Sequence, residues 1–193
     1  MRVIAGKAGG IRLDAPKTGV RPTMDRVKAA IFSSLGEEVI GARVLDLFAG
    51  SGALGIEALS RGAASALFVE ENSAAIAAIE HNLTRTKLEG HIRKQDVFAF
   101  LHSAQTREPF RIVFADPPYE KTKAGAEFTR LLLEDTQVAQ LLEADGVFVL
   151  EKRPAELMPP LALWNVTRAR AYGATEVLFL QRADISAAAR HAE

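Results

Sequence analysis

A chain of 193 residues, with 48% hydrophobic and 25% charged residues, has the make-up of one globular domain and excludes a disordered chain or a collagen-like repeat. Cysteine is absent, which excludes disulfides, a thiol nucleophile and Cys-ligated metal sites, and no apolar run approaches the ~20 residues of a membrane span. The charges balance at 24 basic against 24 acidic, so as a total they argue neither for a polyanionic nor for a polycationic partner.

Their distribution is uneven. Residues 1–30 hold seven basic side chains (Arg2, Lys7, Arg12, Lys17, Arg21, Arg26 and Lys28) against Asp14 and Asp25, a net of +5 on a body that nets −5. A basic arm on a mildly acidic body is a phosphate-binding device, and Arg2, Lys7, Arg12, Arg21 and Arg26 are its candidate nucleic-acid contacts. Within the arm, Val3-Ile4 and Ile11-Leu13 flank Gly6, Gly9 and Gly10 as a small hairpin would. Thr23 is placed to N-cap a helix to Leu35, with Val27, Ile31 and Leu35 on one face.

Strand and helix signals then alternate. Arg43 to Phe48 reads as a strand, Ala53 to Arg61 as a helix closed by Gly62, Ser65 to Glu70 as a strand, and Ser73 to Lys87 as a helix with Ile76, Ile79 and Leu83 at helical spacing. His91 to Gln95, a short helix from Val97 to His102, and the apolar strand Phe110 to Ala115 follow. The stretch 124–143 reads as helix broken near Asp135, and Asp145-Gly146 as a turn into strand Val147 to Leu150. This alternation predicts a parallel sheet with helices on both faces. Trp164 to Ala171 and Thr175 to Arg182 leave no room for a crossover helix, so they pair antiparallel as a hairpin at the sheet edge. The expected organisation is a basic extension (1–36) packed on one domain (37–182), with a frayed tail (183–193). With no charged-then-apolar leader after Met1, the expected compartment is the cytoplasm, with no membrane partner.

Asp46-Leu-Phe-Ala-Gly50-Ser51-Gly52-Ala-Leu-Gly55 sits where the first strand gives way to a helix. Glycines at 50 and 52 permit close approach of backbone to a ligand, and Gly55 permits helix to pack on strand. Glu70 ends the next strand, where an acid grips ribose hydroxyls. Glycines alone leave the nucleoside cofactor open. Asp46 beside the loop suits an ammonium better than a pyrophosphate. Asp96 can accept from an adenine amino group while the Val97 N–H donates to the ring, although Asp96 would equally serve as a helix N-cap. These residues favour S-adenosylmethionine over a nicotinamide dinucleotide.

Asp116-Pro117-Pro118-Tyr119 ends the fourth strand at the edge where open α/β sheets bind ligands. The Asp116 carboxylate and a proline carbonyl only accept hydrogen bonds, so together they hold the two protons of an –NH₂ group and aim its lone pair at an electrophile. Tyr119 offers a face for a flipped-out base. A rigid turn after a strand is the plainer reading. The four histidines show no metal-ligand spacing and read as surface residues, so no metal is expected.

On Arg21-Pro-Thr-Met-Asp-Arg26, Asp46 through Gly62, and Asp116-Pro-Pro-Tyr119, the chain from Arg2 to Arg182 resembles the bacterial RsmD-type methyltransferases. These modify the exocyclic 2-amino group of a guanine in 16S ribosomal RNA. The resemblance implies a Rossmann-like class I S-adenosylmethionine-dependent fold with seven strands, mostly parallel, and a reversed last strand. It implies that Asp46, Gly50, Ser51 and Gly52 hold the methionine moiety, Glu70 the ribose, Asp96 and Val97 the adenine, and Asp116, Pro117, Pro118 and Tyr119 the target base. S-adenosylhomocysteine would be the product, and 16S RNA, free or in a partly assembled small subunit, the partner. Relatives often carry a fuller basic-glycine run than Lys7-Ala-Gly-Gly-Ile-Arg12. By residue chemistry alone, an adenine-N6 methyltransferase of DNA or RNA uses the same Asp-Pro-Pro-Tyr device. A non-catalytic ribosome-assembly factor would keep only the fold.

Overall fold

A computed structural model describes residues 1–15, 25–104, 108–118, 124–154, 156 and 158–183. After helix α1 (Asp25–Leu35) and a 3₁₀ turn (Gly36–Val39), the chain runs β1 (Arg43–Leu47), α2 (Ala53–Ser60), β2 (Ser65–Glu70), α3 (Ser73–Thr86), β3 (His91–Lys94), α4 (Val97–Ser103) and β4 (Phe110–Ala115). It continues through α5 (Ala124–Glu134), α6 (Thr136–Leu141), β5 (Leu142–Lys152), β6 (Trp164–Tyr172) and β7 (Thr175–Arg182). One seven-stranded sheet of order β3-β2-β1-β4-β5-β7-β6 results among the described residues. It is parallel from β3 to β5, and β7 runs antiparallel between β5 and β6.

Period-two alternation divides the core between the two faces. Val44, Ile112, Phe114 and Val149 meet α1, α2 and α3 on one face, whereas Leu45, Leu47, Val113 and Leu150 meet α4, α5 and α6 on the other. The terminal hairpin is inserted in an order its side chains dictate. β7 carries Val177, Leu178, Phe179 and Leu180, all buried, and takes the inner place. β6 shows Asn165 through Arg170 to solvent and forms the edge.

The helix signals translate directly. Asn72 caps α3 by accepting from the Ala74 and Ala75 N–H groups, and Asp135, where the sequence predicts a break, caps α6 through the Gln137 N–H. β5 departs from expectation because it begins at Leu142, not Val147. Phe110 pairs with Leu142 and Ile112 with Val147, so Asp145-Gly146 bulges out of a continuing strand instead of turning into a new one. Arg111 holds the bulge by ion pairs to Glu143 and Asp145.

The N-terminal residues form one antiparallel bridge, Arg2 with Arg12, rather than a regular hairpin ladder. Backbone bonds across the loop run from the Val3 N–H to the Ile11 carbonyl (2.9 Å), from the Gly10 N–H to the Val3 carbonyl (2.8 Å) and from the Leu13 N–H to the Met1 carbonyl (3.1 Å). This loop lies over α2, which explains why all eight residues of that helix are buried: the sheet covers one side and the arm the other. The expected cap Thr23 and the tail residues 184–193 lie outside the described residues.

Strand order reverses between β1 and β4, since β2 lies on one side of β1 and β5 on the far side of β4. Open α/β sheets bind ligands in the crevice at the carboxyl ends of such strands. The glycine loop and the Asp116 turn both leave the sheet there.

Candidate active site

The glycine loop is held from below. Gly50 and Gly52 have φ of +55° and +75°, a region that side chains resist, and the Gly50 N–H donates to Glu70 Oε2 at 2.9 Å. The other oxygen of Glu70 accepts from the Asn72 N–H at 2.8 Å, so this acid ties the loop to the start of α3. A Cβ on Gly55 would stand 2.3 Å from the Phe68 ring, which is the close helix-on-strand packing the sequence pattern predicts. The Ser51 carbonyl accepts from Asn82 Nδ2 at 3.0 Å.

Asp46 is buried. It is 2% exposed beneath the loop, and its Oδ2 accepts from the Gly55 N–H at 2.9 Å. Burial pushes its carboxyl up to about 8, the Gly55 hydrogen bond opposes this, and the charges of Asp116 and Glu70 add to the rise. Acids from the ends of β1, β2 and β4 thus share one field. A cation bound there relieves it.

Asp96 realises the plainer of its two readings, because Oδ1 accepts from the Ala99 N–H at 2.8 Å and caps α4. Val97 is buried as the first residue of that helix, a position whose N–H has no partner within the helix. Asp116 follows β4 directly and is half-buried, with Pro117 buried and Pro118 exposed. Leu47 of β1 is level with Ala115 of β4, so Asp116 comes level with the first loop residue, Phe48. Tyr119 lies outside the described residues. Sequence reasoning missed an aromatic cluster here: Phe48, Phe98 and Phe128 have ring centroids 5.7–6.2 Å apart. The signal was an aromatic immediately after a strand and another one residue into the helix after Asp96.

Of the candidate nucleic-acid contacts, Arg2, Lys7, Arg12 and Arg26 are exposed, and Arg21 lies outside the described residues. Arg2 pairs with Asp25 at 3.6 Å. Arg2, Arg12 and Arg85 share a cleft of about 510 Å³ with Asp14 and Asp25, so α3 adds an arginine that the N-terminal charge count does not include. Lys28, counted above with the basic arm, is withdrawn from the surface. It is 0% exposed, paired with the equally buried Glu57 at 3.2 Å, and donates to the Arg2 carbonyl at 2.6 Å. Burial lowers its ammonium below the usual lysine value. Glu57 in the otherwise apolar run Ala53 to Leu59 was the available signal, since a lone acid in a buried helix requires a cation.

A family model described as conserved hypothetical protein 95 matches residues 1–181. The chain is 36% identical over 190 residues to Escherichia coli ribosomal RNA small subunit methyltransferase D, covering 94% of this chain and 90% of that protein. The chain belongs to the RsmD family. Bacillus subtilis YlbH is 42% identical over 187 residues, covering 94% of this chain and 99% of that one. Among solved structures, a hypothetical protein from Thermus thermophilus superposes with a TM-score of 0.77 at 32% identity, over 94% of this chain and 99% of that one. The sheet is accordingly the class I S-adenosylmethionine-dependent methyltransferase sheet, with its seven strands and antiparallel terminal hairpin. No helix among the described residues is long and apolar enough to cross a membrane.

Proposed function

We propose that this RsmD-family chain is an S-adenosylmethionine-dependent ribosomal RNA methyltransferase acting in the cytoplasm on the exocyclic 2-amino group of a guanine in 16S RNA. The observation that carries the reading is the pairing of β1 with β4 at the reversal of the sheet. It puts the ends of β1 and β4, from which the Gly50–Gly52 loop and the Asp116-Pro-Pro turn leave the sheet, on neighbouring strands ~4.8 Å apart. The E. coli relative's activity on small-subunit ribosomal RNA and the exposed Arg2, Lys7 and Arg12 support an RNA substrate, free or in a partly assembled subunit.

The residues fit the cofactor. Asp46, Glu70 and Asp116 form an acidic field that disfavours ionisation of Asp46, and a ligand bearing an ammonium and a sulfonium relieves that field. When bound, S-adenosylmethionine supplies a methyl group activated by its positive sulfur and leaves as S-adenosylhomocysteine. Asp46 and the loop residues Gly50, Ser51 and Gly52 would hold the methionine moiety, Glu70 the ribose, and Asp96 with the Val97 N–H the adenine. The Asp116 carboxylate and a carbonyl of the following prolines accept the two protons of the guanine amine. This turns the nitrogen lone pair towards the methyl carbon. Tyr119 stacks on the base, which must leave its helix to reach the turn. The chain's contribution is orientation and proximity for in-line transfer. The nitrogen–methyl bond would form as the sulfur–methyl bond breaks, and the amine would shed one proton to the Asp116 carboxylate or to solvent.

The test is transfer from methyl-labelled S-adenosylmethionine to 16S RNA and to small subunits from cells lacking the gene, with digestion to nucleosides. Label is expected in N2-methylguanosine, and Asp116→Ala should lower turnover about a hundredfold or more while cofactor affinity holds. Label in N6-methyladenosine would replace guanine by adenine as the target. Absence of transfer would overturn the reading.

A further inference from the structure

Asn82 is a side chain that neither the glycine motif nor the Asp-Pro-Pro-Tyr turn explains. It lies on the inner face of α3 in register with Ala75, Ile79, Leu83 and Thr86, and is 0% exposed among apolar neighbours. Burying a primary amide costs free energy unless its polar atoms are satisfied, and here three contacts satisfy it. Oδ1 accepts from the Asp14 N–H at 2.8 Å, while Nδ2 donates to the Asp14 carbonyl at 2.9 Å and to the Ser51 carbonyl at 3.0 Å. The reverse orientation of the amide would set its NH₂ against an N–H and its oxygen against two carbonyls, so the network fixes it. One side chain therefore grips the backbone of the basic arm with both of its ends, and with one of them grips the middle residue of the glycine loop.

We infer that Asn82 is a positioning residue that sets the register of the RNA-gripping arm against the methyl-donor loop. The inference rests on the function proposed above. The rest of the arm is fastened elsewhere: Glu57 accepts from the Ile4 and Ala5 N–H groups, and Ser60 accepts from the Ala8 N–H and donates to the Ala5 carbonyl. Those bonds attach residues 4–8 to α2 without Asn82. Loss of Asn82 thus leaves the arm docked, the Asp14 carboxylate on Arg85 and the loop on its strand, but removes the side chain that joins the backbone of residue 14 to that of Ser51. RNA and cofactor still bind, and the target amine is no longer aligned with the methyl carbon. Misplacement of about 1 Å costs as much as a hundredfold in rate.

The experiment compares the wild-type chain with Asn82→Ala, Asp14→Pro and Asp14→Ala, measuring kcat and KM for 16S RNA and the Kd for S-adenosylhomocysteine. Asp14→Pro removes the N–H that Oδ1 accepts. Asp14→Ala removes only a half-exposed carboxylate, which pairs with Arg85 and His81. Expected are a kcat lower by about tenfold or more in Asn82→Ala and Asp14→Pro, with KM and Kd within about threefold of wild type, and a near-normal kcat in Asp14→Ala. A merely structural role would lower the melting temperature without this split between kcat and affinity. Wild-type kcat in Asp14→Pro, an equal loss in Asp14→Ala, or a loss confined to affinity would each overturn the inference. If Asn82→Ala does not fold by circular dichroism, the two Asp14 variants decide alone. A wild-type chain that neither binds S-adenosylhomocysteine nor methylates RNA would instead remove the function on which the inference rests.

Discussion

Replacing Asp46 by asparagine separates what this residue does for the fold from what it does for the ligand. The carboxyl is 2% exposed and held at about 8 against an ordinary 3.8, chiefly by burial and then by Asp116 and Glu70. At neutral pH the ligand-free protein therefore keeps Asp46 largely protonated, whereas the unfolded chain loses this proton in the ordinary carboxylate range. The folded state holds one more proton throughout that interval. The resulting stability is fully present below pH 3.8 and drains away as pH rises through about 8, by up to ~1.4 kcal/mol per pH unit. Asparagine still accepts the Gly55 N–H through its carbonyl oxygen and cannot ionise. Thermal unfolding of both proteins from pH 4 to 9 without ligand is the assay. The two should melt together near pH 4 and diverge progressively from there to about pH 8, above which the gap is constant. At pH 9 Asp46→Asn should be more stable by several kcal/mol, about 10 °C or more in melting temperature. Calorimetry should show the reverse for the ligand. Losing one charge-assisted contact to an ammonium is worth ~1.5–3 kcal/mol, so S-adenosylmethionine should bind about ten- to a hundredfold more weakly to the variant. Wild-type binding should also release a proton near neutral pH, because a cation favours the ionised carboxyl. Melting curves that stay parallel across the whole pH range would refute the account of Asp46.

Reversing the charge of Arg2, Lys7 and Arg12 together should weaken RNA binding and reduce its log–log salt slope by about 2, at ~0.7 per phosphate contact on a single strand. Filter binding from low to high salt checks this, and an unchanged slope would move the RNA surface elsewhere. Gly6→Ala should loosen the arm, since the new Cβ would sit 1.9 Å from the Ser60 carbonyl oxygen at a φ of +84°. Hydrogen exchange should quicken across residues 1–15, with the left-handed φ alone costing ~1–2 kcal/mol, and protection equal to wild type would contradict the packing described.

The elements, their faces and the edge of the sheet that carries the chemistry were legible in the sequence, because local physics writes them there. Helical spacing of Val27, Ile31 and Leu35, the helix break near Asp135, the apolar run Phe110 to Ala115 and the glycines of the loop each answer to backbone and neighbour constraints within a few residues. The terminal pair had to be a hairpin for lack of connecting chain, and the relative polarity of its strands decides which lies inside. Burial and partnership of charged and polar groups followed different rules. Lys28 counted as part of a basic arm until Glu57 of α2, 29 residues away, met it in the interior. Asp46 was legible as an acid beside the loop but not as one buried beneath it, and Asp96 had two equal roles until the Ala99 N–H claimed one of its oxygens. Asn82 gave no sign of bridging residues 14 and 51, which are far apart in sequence and adjacent only after the arm has folded over α2 and the loop has turned onto α3. Local conformation depends on nearest neighbours, so sequence alone determines it. The environment of a titratable or amide group depends on which distant segments exclude water from it, and only the tertiary structure decides that.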